Sequence, residues 1–261
     1  PGVPDDTCEY CRTDRYNICP GVDFMATQPN YKGALTQYMT HPEEWTYHIP
    51  EGMTTMEGAL VEPAAVGMHA AVLGGAQPGK SIVILGGGTI GLMVLQACIS
   101  LGATDITVVD VIEKRLELAK KLGAARVING KEEDTVAVLR SEEMYGDHGV
   151  DLVFEAAGAV FTAQQAVQIV SRGGKIMMVG TQSKPVPIDF LKINREVTIQ
   201  TSFRYCNNFP QTIEAISSGR FNVKDMVTNI YDYEDVQKAF EEAIDPVKKT
   251  EMVKGVIKVA E

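Results

Sequence analysis

The stretch Val83–Gly91, with the sequence VILGGGTIG, decides the fold of this chain. Apolar residues lead into glycines at positions 86, 88 and 91, and a helix-like pattern follows. This is the G-x-G-x-x-G pattern that binds a dinucleotide between a strand and a helix. Gly86 permits the tight turn, Gly88 lets the backbone approach a pyrophosphate, and Gly91 lets the helix pack close to the strand. N–H groups at the helix N-terminus then favour the phosphates.

An acidic residue follows this loop at the spacing of a ribose-binding carboxylate. Residues 92–101 are predicted to form the crossover helix and residues 105–109 the second strand, which ends at Asp110. A carboxylate about 20 positions beyond the glycines grips the ribose hydroxyls and repels a 2′-phosphate, so the pattern favours NAD over NADP. Arg115 is expected along the adenine or ribose. Alternatively, Asp110 caps a helix over residues 113–122.

Six strand-like segments alternate with helix-like segments from Ser81 to Thr201. This alternation predicts an α/β fold with a doubly wound parallel sheet in the order 3-2-1-4-5-6, whose sixth strand is Glu196–Thr201. Gly158 and Gly180-Thr181 follow the fourth and fifth strands, at the edge where a cofactor would run. They are equally consistent with loop residues that contact no ligand. After Phe203 the pattern changes, and the tail is expected to leave the sheet.

The composition limits the binding partners and the cellular compartment that we expect for this chain. The 261 residues carry a net charge of −10, which argues against nucleic acid or an anionic membrane as a partner. No apolar stretch approaches the roughly 18 residues of a membrane span. Five cysteines, an odd number, accompany a nucleotide-binding pattern, which favours reduced thiols and a cytoplasmic location.

Three of the cysteines form a cluster that suits a metal. The spacing Cys8-x-x-Cys11-x7-Cys19 lies in a loop-like segment. Structural zinc takes four tetrahedral ligands, and thiolates two residues apart are typical of such sites. Asp5 stands three residues before Cys8, where a further cysteine of such a run would be, and a carboxylate can also ligate zinc. The alternative is a lobe that folds without metal and carries free thiols.

Together these residues resemble the zinc-dependent medium-chain alcohol dehydrogenases, and within them the sorbitol and polyol (xylitol) dehydrogenase branch. The resemblance runs from Pro1 to the end of the chain. The stretch 15–20, RYNICP, with its preceding cysteines, is similar to the family's structural-zinc lobe. Val61-Glu62-Pro63 is similar to the glutamate motif of the polyol branch. The most specific match is the stretch 203–207, FRYCN, which resembles a signature of sorbitol and xylitol dehydrogenases.

The resemblance implies a zinc-dependent oxidoreductase that transfers hydride from a polyol, a small secondary alcohol, to NAD. It implies that Glu62 approaches the catalytic zinc, while Arg204 and Tyr205 hydrogen-bond the substrate hydroxyls. Further cofactor contacts are implied for Ile90, Val179, Gly180, Thr181, Ser202, Phe203 and Arg204. The implied fold is a Rossmann domain over residues 67–203 and a mostly β, GroES-like catalytic part made from residues 1–66 and 204–261. By analogy, the segment 196–201 pairs across a two-fold axis in a homo-oligomer, a dimer or a tetramer.

The sequence departs from the family pattern at two points. The lobe carries Asp5 where relatives have cysteine. The cysteine and the Gly-His-Glu triplet of the family's catalytic zinc site do not occur, and none of the four histidines stands in a matching setting: His41, His48, His69 and His148. We therefore expect that the N-terminal part of the catalytic domain is absent and that this chain alone is an inactive fragment.

Three other functions remain open at this stage. The first is an NAD-binding module that performs no chemistry. The second is a threonine or butanediol dehydrogenase, because these enzymes share the architecture. The third is a zinc-free reductase that prefers NADPH. The Asp110 carboxylate argues against it, because it would repel the 2′-phosphate.

Overall fold

A computed structural model of the chain describes residues 2–27 and 33–259, so Pro1 lies outside the described residues. The first segment is mostly irregular. It contains strand β1 (Gly2–Val3), the short helix α1 (Glu9–Arg12) and strand β2 (Asp23–Phe24), which pairs antiparallel with β1. Residues 2–24 are called the cysteine lobe below, because they include Cys8, Cys11 and Cys19.

A long helix, α2 (Thr55–Gly74), connects this segment to the sheet. Thr54 begins it with a reciprocal cap: its hydroxyl accepts from the Glu57 N–H at 3.2 Å, and the Glu57 carboxylate accepts from the Thr54 N–H at 2.9 Å. Such a capping box satisfies two backbone donors that the first helical turn leaves without partners. The helix ends at Gly75, whose left-handed backbone (φ 80°) suits a glycine.

The centre of the molecule is a six-stranded parallel sheet. Its strands are β3 (Ser81–Leu85), β4 (Asp105–Asp110), β5 (Arg126–Asn129), β6 (Val150–Glu155), β7 (Val170–Met178) and β8 (Thr198–Thr201). Their order is β5-β4-β3-β6-β7-β8, which confirms the predicted doubly wound order. The crossover helices are α3 (Thr89–Ser100), α4 (Glu113–Lys121), α5 (Thr135–Leu139) and α6 (Val160–Ile169).

The sixth strand is shorter than the sequence predicts. Glu196 has φ 59°, in the left-handed region, so it cannot continue an extended strand. Pairing with β7 therefore begins at Thr198, opposite Lys175, and ends at Thr201, opposite Met178.

The tail leaves the sheet, as predicted. It forms α7 (Phe209–Ser217), β9 (Val227–Asp232), α8 (Val236–Ile244), α9 (Lys248–Glu251) and β10 (Lys254–Lys258). Strands β9 and β10 pair parallel in a separate two-stranded sheet. Helix α7 packs beside α2, and its Ile213 and Ile216 lie in the same apolar core as Leu60 and Met68. The division into 1–66, 67–203 and 204–261 stays a prediction.

Two cores flank the central sheet. One lies among α2, α3 and α7, and the other lies below α5 and α6, around Val153 and Ile169. Strand β3 contributes Ile82 and Ile84 to the first core and Val83 and Leu85 to the second, which is why its residues form a continuous apolar run. Among the described residues, no helix combines the length and apolarity needed to span a membrane.

Close contact between α2 and α3 generates the first prediction. A Cβ added at Gly67 would lie 2.5 Å from the carbonyl carbon of Met93 and 2.7 Å from its oxygen. Because that obstacle is backbone, we expect Gly67→Ala to lower the free energy of unfolding by about 1–3 kcal/mol in urea titrations. Gly58→Ala is the matched control on the same helix, since its added methyl would meet only the flexible end of Ile49. Equal losses in the two variants would contradict the role of Gly67.

Candidate functional site

The glycine loop between β3 and α3 is shaped by close backbone contacts. Gly86 has φ 109°, and a Cβ there would lie 2.8 Å from the amide nitrogen of Ala157. A Cβ on Gly91 would lie 1.8 Å from the carbonyl oxygen of Gly86. A Cβ on Gly88, by contrast, would meet only Arg115 Nη1, at 3.9 Å. Gly86 and Gly91 are therefore required by the turn itself, while Gly88 leaves an open surface beside the helix N-terminus.

Asp110 holds this loop from the neighbouring strand. Its Oδ2 accepts from the Gly87 N–H at 2.7 Å, and its Oδ1 accepts from the N–H groups of Val111 and Ile112 at 2.7 and 2.9 Å. The guanidinium of Arg115 lies 3.7 Å from Oδ2. The N-cap position of α4 is Ile112, and α4 has no side-chain cap, so the alternative of Asp110 as that helix's cap is wrong.

A cavity of about 360 Å³ opens at this edge of the sheet. Gly86, Gly88, Asp110 and Arg115 line it, together with Thr135. Two buried polar atoms in its lining, Arg115 Nε and Thr135 Oγ1, have no hydrogen-bond partner in the described residues. Since buried polar groups are nearly always paired, these atoms are positions where water or a polar ligand can bind. Thr135 was not predicted, because no sequence motif includes it.

A fully buried carboxylate, Glu155, joins two further loops at the same edge. Its side chain accepts from the N–H groups of Ala157 and Gly158 at 3.0 and 2.9 Å, from the Thr162 hydroxyl at 2.7 Å, and from Gln182 Nε2 at 2.7 Å. No sequence pattern indicates this role, because a glutamate that ends a strand is common.

The loops after β6 and β7 touch each other. A Cβ on Gly180 would lie 2.4 Å from the Gly158 nitrogen, and one on Gly158 would lie 2.6 Å from the Thr181 carbonyl oxygen. Close packing of the two loops is thus a sufficient reason for both glycines. Their contact with a cofactor stays a prediction.

The other predicted cofactor residues lie at the carboxyl ends of the strands. Val179 follows β7 and donates its N–H to the Glu155 carbonyl at 2.8 Å. Ser202 follows β8 and donates its N–H to the Met178 carbonyl at 2.9 Å, and Phe203 is the next residue. Ile90 lies in the first turn of α3. All of these residues therefore face the edge that the glycine loop occupies, as a doubly wound sheet requires.

Glu62, Arg204 and Tyr205 form a second group of predicted residues. Glu62 lies within α2. Partial burial raises the pKa of its carboxyl group above the usual value, and the nearby Arg204 and Tyr205 offset only part of this rise. Burial also raises the pKa of Tyr205, which is 5% exposed, and lowers the pKa of Arg204. Three buried polar atoms of this loop have no hydrogen-bond partner in the described residues: Ser202 Oγ, Arg204 Nη1 and Tyr205 Oη.

The cysteine lobe brings its four predicted ligands together. The ligand atoms of Asp5, Cys8, Cys11 and Cys19 all lie within 4.8 Å of one another, and the Cys8 and Cys11 sulfurs are 3.4 Å apart. Hydrogen bonds from the N–H groups of Thr7 and Cys8 lower the pKa of Asp5 to about 2, so this carboxylate is ionised at neutral pH. Three thiols and a carboxylate fit the tetrahedral coordination of zinc. Within residues 2–27 and 33–259, this is the only group of three or more potential metal ligands, and it includes no histidine.

The comparisons with known proteins agree with this geometry. Residues 89–218 match the zinc-binding dehydrogenase family. An Escherichia coli zinc-type alcohol dehydrogenase-like protein is 63% identical over all 261 residues, which cover 74% of its length. The sorbitol dehydrogenase of Bacillus subtilis is 40% identical over 247 residues, which are 94% of this chain and 69% of that enzyme.

A solved structure is also similar over the whole chain. The crystal structure of an Escherichia coli oxidoreductase/dehydrogenase of unknown specificity superimposes with a TM-score of 0.97 and 62% sequence identity. The alignment covers 100% of this chain and 74% of that structure.

The glycine loop generates the second prediction, which separates its structural and ligand-facing positions. We expect Gly91→Ala to lower the free energy of unfolding by roughly 3 kcal/mol, because the added methyl meets backbone. Gly88→Ala has room in the free protein, so its unfolding curve should match the wild type. Calorimetry with NAD should nevertheless show at least about tenfold weaker binding for Gly88→Ala, since its methyl occupies the pyrophosphate position. Unchanged NAD binding by Gly88→Ala would place the cofactor elsewhere.

Proposed function

The chain belongs to the zinc-binding dehydrogenase family, and we propose that it serves the NAD-dependent oxidation of a polyol. One observation carries the choice of substrate class: the unpartnered Ser202 Oγ and Arg204 Nη1 lie close to the Tyr205 hydroxyl and the half-buried Glu62 carboxylate. An arginine donates, a carboxylate accepts, and serine and tyrosine hydroxyls do both. Adjacent hydroxyl groups of a small polyol complement this set.

The energetics of such a site favour hydroxyl-rich substrates. A buried donor or acceptor without a partner costs about 1–3 kcal/mol, and a substrate hydroxyl removes that cost. A site built to pair hydroxyls therefore discriminates strongly against analogues that lack them. The B. subtilis sorbitol dehydrogenase, at 40% identity, supports this choice over a simple primary alcohol. Butanediol, which has only two hydroxyls, would leave more of these atoms unpaired.

NAD is the proposed cofactor, with its adenosine half in the 360 Å³ cavity. The Asp110 carboxylate already accepts three backbone hydrogen bonds, and its oxygens retain capacity for ribose hydroxyls. A 2′-phosphate would lie beside the negative charge of Asp110 and be repelled by it. Arg115 lies 3.7 Å from the same carboxylate and is already engaged with it, so this guanidinium is not free to bind the phosphate. This balance of charge favours NAD over NADP.

The described residues do not complete a catalytic zinc site. Such a site takes three protein ligands and an open position, where the metal acts as a Lewis acid on the alcohol oxygen. Among residues 2–27 and 33–259, Glu62 belongs to no group of three or more potential metal ligands. We therefore assign to this chain the binding and orientation of the cofactor and the polyol.

This gap supports a second candidate function. The chain by itself is an NAD-binding module without turnover if nothing else supplies ligands beside Glu62. NAD binding is common to both proposals, so it does not separate them; oxidation of a polyol does.

Three smaller proposals accompany the main one. We propose that Asp5, Cys8, Cys11 and Cys19 hold a structural zinc ion, as their spacing and proximity suggest. None of the five cysteines forms a disulfide, which suits a reducing compartment such as the cytoplasm. Strand β8 is an edge of the sheet, so a second copy can pair with it in a homo-oligomer.

Replacing the ribose-binding carboxylate tests the cofactor. We expect Asp110→Ala to weaken NAD binding by roughly 10- to 100-fold, because hydrogen bonds to a charged group contribute about 1.5–3 kcal/mol. NADP binding should change much less, since the repulsion of its 2′-phosphate disappears together with the attraction. Glu117→Ala, on the exposed face of α4, is the control and should bind NAD as the wild type does. Equal losses of NAD and NADP affinity would contradict the ribose assignment.

A turnover assay tests the substrate. NADH absorbance is followed with NAD, added zinc and sorbitol, xylitol, 2,3-butanediol, threonine or ethanol. The proposal predicts the highest kcat/KM for a polyol and a roughly tenfold rise in polyol KM for Tyr205→Phe, which loses one hydrogen-bonding group. The half-exposed Tyr233 gives the control Tyr233→Phe. NAD binding without NADH formation from any alcohol would favour the module, and preference for ethanol would overturn the choice of a polyol.

A further inference from the structure

The cysteine lobe contacts the loop that carries Arg204 and Tyr205. Four hydrogen bonds connect the two segments, although the bonded residues lie 186 to 193 positions apart in the sequence. Asn17 Nδ2 donates to the Phe203 carbonyl at 2.8 Å, and the Tyr16 hydroxyl accepts from the Asn207 N–H at 2.8 Å. The Asp14 carbonyl accepts from Asn207 Nδ2 at 3.2 Å and from the Cys206 thiol at 3.0 Å.

All four bonds come from one short part of the lobe. Asp14, Tyr16 and Asn17 lie between Cys11 and Cys19, which are the second and third cysteines of the proposed zinc site. Seven residues separate these two cysteines, so a metal ion bound by both closes a small loop and restricts its backbone. The segment 12–18 is called the clasp below.

The loop that the clasp holds is in a conformation that needs support. Arg204 and Asn207 have φ 53° and 54°, in the left-handed region. Non-glycine residues there cost free energy and persist only where surrounding contacts impose the conformation. The lobe supplies such contacts at both positions: the Asn207 N–H binds Tyr16, and the Arg204 guanidinium lies 3.6 Å from the centre of the Phe24 ring.

From this geometry we propose that Tyr16 and Asn17 are positioning residues for the substrate loop, and that zinc in the lobe sets the placement of Arg204 and Tyr205 through them. The metal site is then a determinant of polyol binding as well as of stability. The inference rests on the proposed function for the identity of the ligand, but not for the mechanical connection.

The glycine loop and Asp110 make none of these contacts. The clasp binds to residues 203–207, whereas the cavity proposed for adenosine is lined by residues of β4, of the loops after β3, β5 and β6, and of helices α4, α5 and α6. Loss of the clasp should therefore weaken polyol binding much more than NAD binding, because the cavity proposed for the adenosine half does not touch the clasp, although Phe203 and Arg204 are also predicted cofactor contacts. A general loss of folding would reduce both.

Amide hydrogen exchange tests the connection without requiring turnover. The zinc content of the purified chain is measured first, and about one zinc ion per chain is expected. Exchange of the peptide spanning residues 203–208 is then compared before and after removal of zinc with a chelator. We expect its exchange to accelerate about tenfold or more on zinc removal, because the Asn207 N–H loses its acceptor, while strand β3 stays protected.

Two substitutions separate the clasp from the metal. Tyr16→Phe removes the acceptor of the Asn207 N–H and Asn17→Ala removes the donor to Phe203, and both leave all four zinc ligands in place. Each should retain zinc and accelerate exchange at 203–208. Tyr10→Phe is the matched control in the same lobe, since the structure shows no hydrogen bond from the Tyr10 hydroxyl among the described residues, and it should exchange as the wild type does.

Two further readouts complete the test. Trp45, the single tryptophan, packs edge-on against Tyr16 with ring centres 4.7 Å apart, so its fluorescence should change on zinc removal. Where polyol turnover is measurable, Tyr16→Phe and Asn17→Ala should raise the polyol KM about tenfold and weaken NAD binding by a clearly smaller factor.

The possible failures are distinguishable. The inference would be overturned if the protein bound no zinc although its four ligands were intact, or if zinc removal left the exchange rate of the 203–208 peptide unchanged. It would also be overturned if the Tyr16→Phe variant exchanged at the same rate as the Tyr10→Phe control. Failure of the proposed function would instead show as absent NAD binding or absent polyol oxidation, with the exchange result unchanged.

Discussion

The close approach of Gly91 to the Gly86 carbonyl is the constraint on which the rest of this structure depends. Because no side chain separates them, α3 begins directly against the end of β3, and its first turn faces the carboxyl edge of the sheet. A second close approach, of Gly67 to the Met93 backbone, then fixes α2 on α3. Since α2 carries Glu62, these two backbone contacts determine the distance between the glycine loop and Glu62. A residue larger than glycine at position 67 or 91 would clash with the backbone that it faces.

Two polar clusters complete the edge that these contacts create. Asp110 binds the glycine loop from β4, and Glu155 joins the loops after β6 and β7. Both carboxylates are buried, and burying a charge is unfavourable unless hydrogen bonds compensate for it. Here backbone N–H groups supply most of those hydrogen bonds. The same bonds that compensate for the burial of each carboxylate therefore also hold a loop in place. The cofactor edge is therefore preformed by side chains that belong to the fold.

Much of this arrangement was predictable from the sequence, for identifiable reasons. The glycines, the acidic residue and the alternation of segments are local patterns, and they predicted the strand order correctly. The proximity of Asp5 to the three cysteines also followed from spacing. The start of β8 was not predictable, because the left-handed backbone of Glu196 depends on tertiary context. Glu155, Thr135 and the Tyr16–Asn207 contact were missed because their partners lie far away in the chain or stand outside any motif, and only the folded structure brings them together.

The contact between the clasp and residues 203–207 has a consequence for how specificity can change within such a fold. The side chains that we propose to face the polyol belong to one segment, but hydrogen bonds from a second segment, distant in sequence, hold the backbone of the first. Grafting the loop alone from a relative with different preferences would import side chains without the framework that orients them. Successful exchange of specificity should therefore require both segments to be transferred together, and the two should covary during divergence as a single inherited unit.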